Sequence, residues 1–206
     1  MISRSRFSAA FLLLLATSTW AFDNPCTATS STPCLCPQGT QYAESATTAF
    51  IGAPASVLGG LINNFYNLTW TGPSVNSSSQ ADLDNIPGVS ERTVALHTTQ
   101  GAYNLTERLL SRETLRDGSF SQSYEQTAPI EYSSGNGSFS GYWTTMRGDR
   151  YFQNETMVTI IIYACMTGHP IDFAATHGEV LTYVISLFGG SLGSGASAGP
   201  ISIQSF

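Results

Sequence analysis

Two residues of opposite charge, Arg92 and Glu107, fall on the predicted inner face of a β-hairpin over residues 89–110. Strand side chains alternate between faces, so Val94 and Leu105 mark the same apolar face as the two charges. A tight hairpin loop then pairs position 92 with position 107. A guanidinium can polarise a carbonyl oxygen and a carboxylate can move a proton. The pair therefore predicts either a structural ion pair or the floor of a functional site.

A third candidate, His177, interrupts the apolar stripe of a predicted amphipathic helix. This helix begins at Pro170 and ends at Gly189. Its apolar residues recur at three- and four-residue steps, at Phe173, Val180, Leu181, Val184 and Phe188. An imidazole donates or accepts a proton near neutral pH. His177 is therefore either a proton-transfer group in a site or a histidine whose hydrogen bonds are satisfied within the core.

Common motifs for catalysis and cofactor binding give no support for a known enzyme class. The sequence lacks His-Glu-x-x-His, a phosphate-binding loop and a dinucleotide-binding glycine pattern. Gly-x-Ser-x-Gly occurs only at 189–193 and 195–199, away from any predicted strand–helix turn. We expect no cofactor and no metal, and enzymatic activity is the less favoured outcome. If the chain is an enzyme, its residues allow acid–base chemistry.

Residues 40–188, which we expect to form one domain, show a strand pattern, a helical pattern, a series of strand patterns and a final helical pattern. The predicted strands are 42–51, 89–97, 103–110, 119–126, 138–146 and 155–165. Consecutive hairpins predict an antiparallel meander. A helical pattern over 55–65 contains Gly59-Gly60, which predicts two short helices or one broken helix.

The two ends of the chain lie outside this predicted domain. Residues 1–21 have a basic start, an apolar run and a small-residue end, which predicts a secretory signal peptide cleaved after Ala21. Residues 22–39 are rich in Pro, Ser, Thr and Cys and predict an irregular arm held by disulfides. Residues 189–206 are rich in Gly and Ser and predict a disordered tail.

Composition limits the compartment and the partners. Five Asn-x-Ser/Thr sequons favour a secreted, N-glycosylated protein, at Asn67, Asn76, Asn104, Asn136 and Asn154. The chain has no lysine and a formal net charge of −6, so we expect neither nucleic acid nor an anionic membrane as a partner. After the leader, no stretch approaches the ~20 apolar residues of a membrane span.

Four cysteines in an oxidising compartment predict two disulfides, at Cys26, Cys34, Cys36 and Cys165. A bridge between Cys34 and Cys36 would close a very small, strained ring. We therefore expect Cys26 to pair with either Cys34 or Cys36, and the other of the two to pair with Cys165. Zinc is the less favoured alternative, because a three-cysteine cluster would need a fourth ligand and reducing conditions.

The order of elements and several sequence stretches resemble the helix-grip fold of the START-related superfamily, which includes the birch pollen allergen and polyketide cyclase/dehydrase-like proteins. The stretches are ATTAFIGAPASVLGGLINNFYNLTW (46–70), IPGVSERTVAL (86–96), YNLTERLLS (103–111), SGYWTTM (140–146) and GHPIDFAATHGEVLTYVISLF (168–188). Leu58 and Asn64 depart from the group, which usually has a tryptophan and an acidic residue there. The cysteine arm and the sequons suggest a secreted, fungal branch.

The resemblance implies an α+β fold in which a curved antiparallel sheet wraps around a long C-terminal helix, with two short helices after the first strand. It also implies an internal cavity for a hydrophobic or aromatic small molecule. The candidate lining residues are Arg92, Tyr103, Leu105, Glu107, Tyr124, Trp143, Tyr163, Phe173, His177 and Leu181.

The expected function is that of a secreted, monomeric carrier or scavenger of such a molecule. Two alternatives remain open. One is a cell-surface or host-interaction glycoprotein without a ligand. The other is a polyketide cyclase/dehydratase-like enzyme, in which Arg92 would polarise a carbonyl and Glu107 or His177 would move a proton.

Overall fold

Most of the chain is described by a computed structural model, which covers residues 24–72, 75–79, 85–98, 101–132, 135–188 and 195–206. The predicted signal peptide, residues 1–21, lies outside these ranges, and its prediction stays untested.

Within these ranges, a single antiparallel sheet of nine strands forms the frame of the structure. The strands are β1 (Gln41–Ile51), β2 (Val75–Ser79), β3 (Glu91–Thr98), β4 (Gly101–Thr114), β5 (Phe120–Gln126), β6 (Ile130–Glu131), β7 (Gly137–Phe152), β8 (Glu155–Gly168) and β9 (Ala198–Ser205). Their order across the sheet is β2-β3-β4-β5-β7-β8-β1-β9, and β6 pairs with β7. The central strands β3 to β8 form the predicted meander.

Two α-helices and one short turn complete the described elements: α1 (Ala55–Ile62), a 3-10 turn (Thr69–Thr71) and α2 (Phe173–Phe188). The helix α1 is not broken at its glycine pair. A Cβ at Gly59 would lie 3.1 Å from the Phe120 ring, so this glycine lets α1 pack closely against β5. The prediction of two short helices is wrong within residues 55–65, which contain α1 alone; the 3-10 turn follows at Thr69–Thr71.

The long C-terminal helix α2 packs on the sheet as its periodicity predicts. The residues of its apolar stripe are buried, namely Phe173, Val180, Leu181, Val184 and Phe188. One core cluster joins this stripe to α1, β1 and β8. A second cluster collects Phe65, Phe139, Phe173 and neighbouring aromatic side chains at the other end of the sheet. The predicted helix-grip α+β fold is confirmed.

The prediction of a disordered tail is wrong for residues 198–205. They form β9, which pairs antiparallel with β1 and places Ile203 opposite Ala46. The side chain of Gln204 accepts a hydrogen bond from the Ala174 amide at 2.8 Å and donates one to the Ile171 carbonyl at 2.9 Å. The edge of β1 and the start of α2 thus supply the hydrogen-bonding partners that hold this segment.

The irregular arm is tied to the sheet by the two disulfides, which settle the alternatives left open by the sequence. Cys26 pairs with Cys34, and Cys36 pairs with Cys165 in β8. The Tyr163 hydroxyl also donates a hydrogen bond to the Thr27 carbonyl at 2.6 Å. The arm therefore lies over the outer face of the sheet, opposite to α2.

Candidate functional site

A cavity of about 60 Å³ lies between the inner face of the sheet, the first turns of α2 and the segment around the 3-10 turn. Its lining is mostly apolar and aromatic, with a small number of polar side chains. The lining residues are Leu68, Trp70, Thr71, Arg92, Val94, Glu107, Tyr124, Tyr142, Ile160, Phe173, Thr176, His177 and Val180. This mixture of an apolar wall and a few polar groups is typical of small-molecule sites.

The ion pair predicted from the hairpin register lies in this wall. β3 and β4 pair so that Arg92 stands directly opposite Glu107. The Nε atom of Arg92 donates a hydrogen bond to Oε2 of Glu107 at 2.7 Å, and each side chain is 3% exposed. A pair this deeply buried is costly to separate, because each charge would lose its partner in a medium of low dielectric constant.

The Arg92 guanidinium makes further contacts that hold it in place. Its Nη1 donates a hydrogen bond to the Phe65 carbonyl. Its central carbon lies 4.2 Å from the centre of the Phe65 ring and 4.8 Å from that of Tyr124, both within the range of cation–π attraction. Burial is the largest single influence and acts to lower the pKa of Arg92. The charge of Glu107, its hydrogen bond and the nearby Tyr124 and Tyr142 together outweigh burial, so the pKa is raised. Arg92 is therefore a permanent, internally compensated cation.

His177 projects from α2 into the same cavity. It is half-buried as a whole, but its Nδ1 atom is buried and has no hydrogen-bond partner among the described residues. The imidazole stacks on Phe173, with ring centres 6.3 Å apart. Burial lowers the pKa of His177 to about 4, so the ring is neutral at pH 7. A neutral ring with one unpartnered nitrogen can accept or donate a hydrogen bond.

Two tyrosines add neutral polar groups to the wall. Burial raises the pKa of both Tyr124 and Tyr142, and the nearby Glu107 charge raises each further. Their hydroxyls therefore stay protonated at all physiological pH values. Tyr142 also contacts Phe173, with ring centres 6.1 Å apart, which links β7 to the start of α2.

Half of the ten residues expected to line the cavity do so: Arg92, Glu107, Tyr124, Phe173 and His177. Leu105 and Leu181 are fully buried in the two core clusters instead. The strand position of Tyr103 is as predicted, opposite Leu96, but its side chain lies outside the part of the chain that the structure describes.

Trp143 and Tyr163 lie on the opposite face of the sheet, so their placement in the cavity is corrected. Their rings stack on each other with centres 5.2 Å apart. A β-bulge between Phe139 and Gly141 shifts the pairing of β7 with β8. After this bulge Tyr142 faces the cavity and Trp143 faces outward.

Sequence reasoning missed several lining residues, chiefly Trp70, Tyr142 and Thr176. Trp70 lies within the 3-10 turn, where its indole donates a hydrogen bond to the Asn67 carbonyl at 2.7 Å. A loop position of this kind has no periodicity to reveal which way it faces. Thr176 could have been found, because it directly precedes His177 and lies one turn after Phe173 on the helix.

The chemistry available to this site follows from the state of its polar groups. The Oε2 atom of Glu107 accepts a hydrogen bond from Arg92, so a proton taken up by this carboxylate would remove the counter-charge of the buried guanidinium. The unpartnered Nδ1 of His177 remains available to hydrogen-bond a bound molecule. The arrangement is suited to holding a largely apolar molecule by one polar contact.

A curved antiparallel sheet that grips a long helix over a small cavity defines the helix-grip class of α+β proteins. A sequence model described as the START domain matches residues 42–200. The chain therefore belongs to the START-domain family. No curated protein matches the chain in sequence.

Two solved structures are similar to the chain. Norcoclaurine synthase from Thalictrum flavum, a point mutant in complex with a transition-state analogue, is 8% identical with a TM-score of 0.50. The match covers 72% of this chain and 95% of that one. A START superfamily protein from Mycobacterium smegmatis is 9% identical with a TM-score of 0.48, covering 71% and 95%. At 8% identity, the similarity to norcoclaurine synthase shows a shared fold and nothing about function.

The α-helices within the described ranges are all too short or too polar to cross a bilayer.

Proposed function

We propose that the chain is a secreted glycoprotein that binds a hydrophobic or aromatic small molecule in the cavity beneath α2. One observation carries the proposal. The cavity is walled by apolar and aromatic side chains, and one of its lining residues, His177, has a buried nitrogen, Nδ1, without a hydrogen-bond partner among the described residues. Buried polar atoms normally have hydrogen-bond partners. A ligand atom would supply the missing one.

The size of the cavity limits the ligand. Sites for drug-sized molecules usually measure about 300–1,000 Å³, whereas this cavity measures about 60 Å³. The ligand is therefore small, or the wall moves when it binds. The first turns of α2, which carry Phe173, Thr176 and His177, form the wall opposite the rigid sheet.

The secreted, glycosylated state is supported by three features of the chain. Residues 1–21 have the pattern of a signal peptide. The four cysteines form two disulfides, which persist in oxidising compartments. The sequon residues Asn104 and Asn136 are exposed, as glycan attachment requires.

A pair of threonine substitutions on α2 tests the binding function. Thr176 lines the cavity, while Thr182 lies exposed on the same helix. Thr176→Phe fills the cavity and should abolish the binding of toluene and phenol, measured by ligand-observed NMR. Thr182→Phe, the matched control, should bind both as the unmodified protein does. Equal binding by the two variants, or none by the unmodified protein, would overturn the proposal.

A ligand-free surface glycoprotein is a second candidate, and the small cavity volume favours it. In that case the outer surface, not the cavity, would recognise cell-wall or host material. Thr176→Phe would then retain the full attachment of labelled protein to isolated cell walls. A loss of attachment in this variant alone would count against the second candidate.

A further inference from the structure

We propose that the cavity selects an uncharged molecule bearing a hydroxyl group, and that this hydroxyl hydrogen-bonds to Nδ1 of His177. The inference rests on the proposed binding function and names the chemical class of its ligand. It follows from the charges and the hydrogen bonds of the described lining residues.

The charges in the wall cancel. The ionisable side chains placed around the cavity are Arg92, Glu107, Tyr124, Tyr142 and His177. Arg92 and Glu107 neutralise each other across 2.7 Å, and Arg92 also donates to the Phe65 carbonyl. A carboxylate or ammonium group on the ligand would therefore have to separate this pair or stay unpaired. Both outcomes are costly in a buried site.

The remaining ionisable groups carry no charge at pH 7. Burial raises the pKa of Tyr124 and Tyr142 and lowers the pKa of His177 to about 4. None of the three therefore offers an opposite charge to an ionised ligand. The lining as a whole favours a neutral molecule.

One lining residue, His177, has a buried polar atom, Nδ1, without a hydrogen-bond partner among the described residues. The hydroxyls of two other lining residues are already used, because Thr71 donates to the Leu68 carbonyl at 2.7 Å and Thr176 donates to the Asp172 carbonyl at 3.1 Å. In a neutral imidazole, Nδ1 is a donor in one tautomer and an acceptor in the other. A hydroxyl group can pair with either tautomer, since it both donates and accepts.

Four single-ring probes of similar size separate these features: phenol, toluene, benzoate and benzylamine. Binding of each to the full chain is measured at pH 7 by ligand-observed NMR. We expect phenol to bind about tenfold more tightly than toluene, because an unpaired buried polar group typically costs about one power of ten in affinity. Benzoate and the benzylammonium ion should bind at least tenfold more weakly than phenol.

Two histidine variants assign the hydroxyl contact. His177→Phe keeps an aromatic ring next to Phe173 but removes the nitrogen, so phenol should lose its tenfold advantage over toluene. His169→Phe is the matched control, because His169 is exposed at the entrance to α2 and lies outside the cavity lining. This control should keep the advantage. If His177→Phe does not fold, the order of the four probes on the unmodified protein still decides the inference.

The possible results separate this inference from the proposed function. Binding of benzoate or benzylamine as tight as that of phenol overturns the inference and leaves the binding function standing. An unchanged preference for phenol in His177→Phe overturns the assignment of the contact. Failure of all four probes to bind removes the binding function, and the inference with it.

Discussion

Arg92 and Glu107 face each other across β3 and β4, joined by a 2.7 Å hydrogen bond from Nε to Oε2 at the floor of the cavity. Both are 3% exposed, yet neither charge is isolated from an opposite one. The pair thus gives the cavity a strongly polar floor with no net charge. The stability of the sheet and the charge selectivity of the cavity depend on the same contact.

Removing one charge of this pair should destabilise the fold strongly. Glu107→Gln leaves the buried Arg92 guanidinium without a counter-charge, which should lower the free energy of unfolding by about 3–5 kcal/mol. Urea denaturation measures the change. The double variant Arg92→Met/Glu107→Leu removes both charges and should cost less than either single substitution. A loss of less than about 1 kcal/mol in Glu107→Gln would show that the pair is not buried in solution.

His177 should make the protein less stable as the pH falls. Its folded pKa of about 4 lies below the value of about 6.5 expected for the unfolded chain, so the unfolded state binds the proton first. Stability present above pH 6.5 is lost between about pH 6.5 and 4. The loss from His177 between pH 7 and pH 5 is about 2 kcal/mol.

Thermal or urea denaturation at the two pH values checks this prediction. His177→Phe should lose about 2 kcal/mol less than the unmodified protein over this range, whereas His169→Phe should behave like the unmodified protein. Identical pH dependence in the two variants would show that His177 is protonated equally easily in the folded and unfolded states.

The two disulfides should contribute unequally to stability. The Cys36–Cys165 bridge spans 129 residues, whereas the Cys26–Cys34 bridge spans 8. A longer closed loop restricts the unfolded chain more, so Cys36→Ser/Cys165→Ser should cost about 2 kcal/mol more than Cys26→Ser/Cys34→Ser. Chemical denaturation of the two double variants measures the difference. Equal losses of unfolding free energy in the two double variants would contradict the prediction, because the longer loop would then restrict the unfolded chain no more than the shorter one.

Gln204 should hold the start of α2 from the edge of the sheet. Its side chain caps the Ala174 amide and also donates to Ile171, so Gln204→Ala should lower the free energy of unfolding by about 1 kcal/mol. Hydrogen exchange should also become faster for the amides of residues 174–177. Ser205→Ala in the same strand is the control. Unchanged hydrogen exchange in Gln204→Ala would show that the Gln204 side chain does not stabilise the start of α2.

The inner-face ion pair could be predicted from the sequence because a strand has a strict period of two. Val94 and Leu105 belong to the core face. Arg92 and Glu107 lie two residues away from them on the same strands, so they must lie on that face too. The amphipathic spacing of α2 was equally informative. Both features depend on local repeats that a single sequence displays.

Other features depend on contacts that no local pattern reveals. The bulge between Phe139 and Gly141 decides that Tyr142, not Trp143, faces the cavity, and two adjacent aromatic residues give no sign of it. The strand β9 also has no buried apolar face that an apolar sequence pattern could indicate, because Ile201 and Ile203 are more than 70% exposed. Backbone pairing with β1 and the side-chain contacts to α2 define that strand instead.

The most direct test of the binding cavity is native mass spectrometry of the protein purified from a secreting host after deglycosylation, followed by organic extraction. We predict an adduct of one small molecule per chain, lost on denaturation and absent from Thr176→Phe. The extracted compound should be uncharged and carry a hydroxyl group. A mass equal to that of the bare chain, unchanged after incubation with phenols and other small aromatic molecules, would contradict the account.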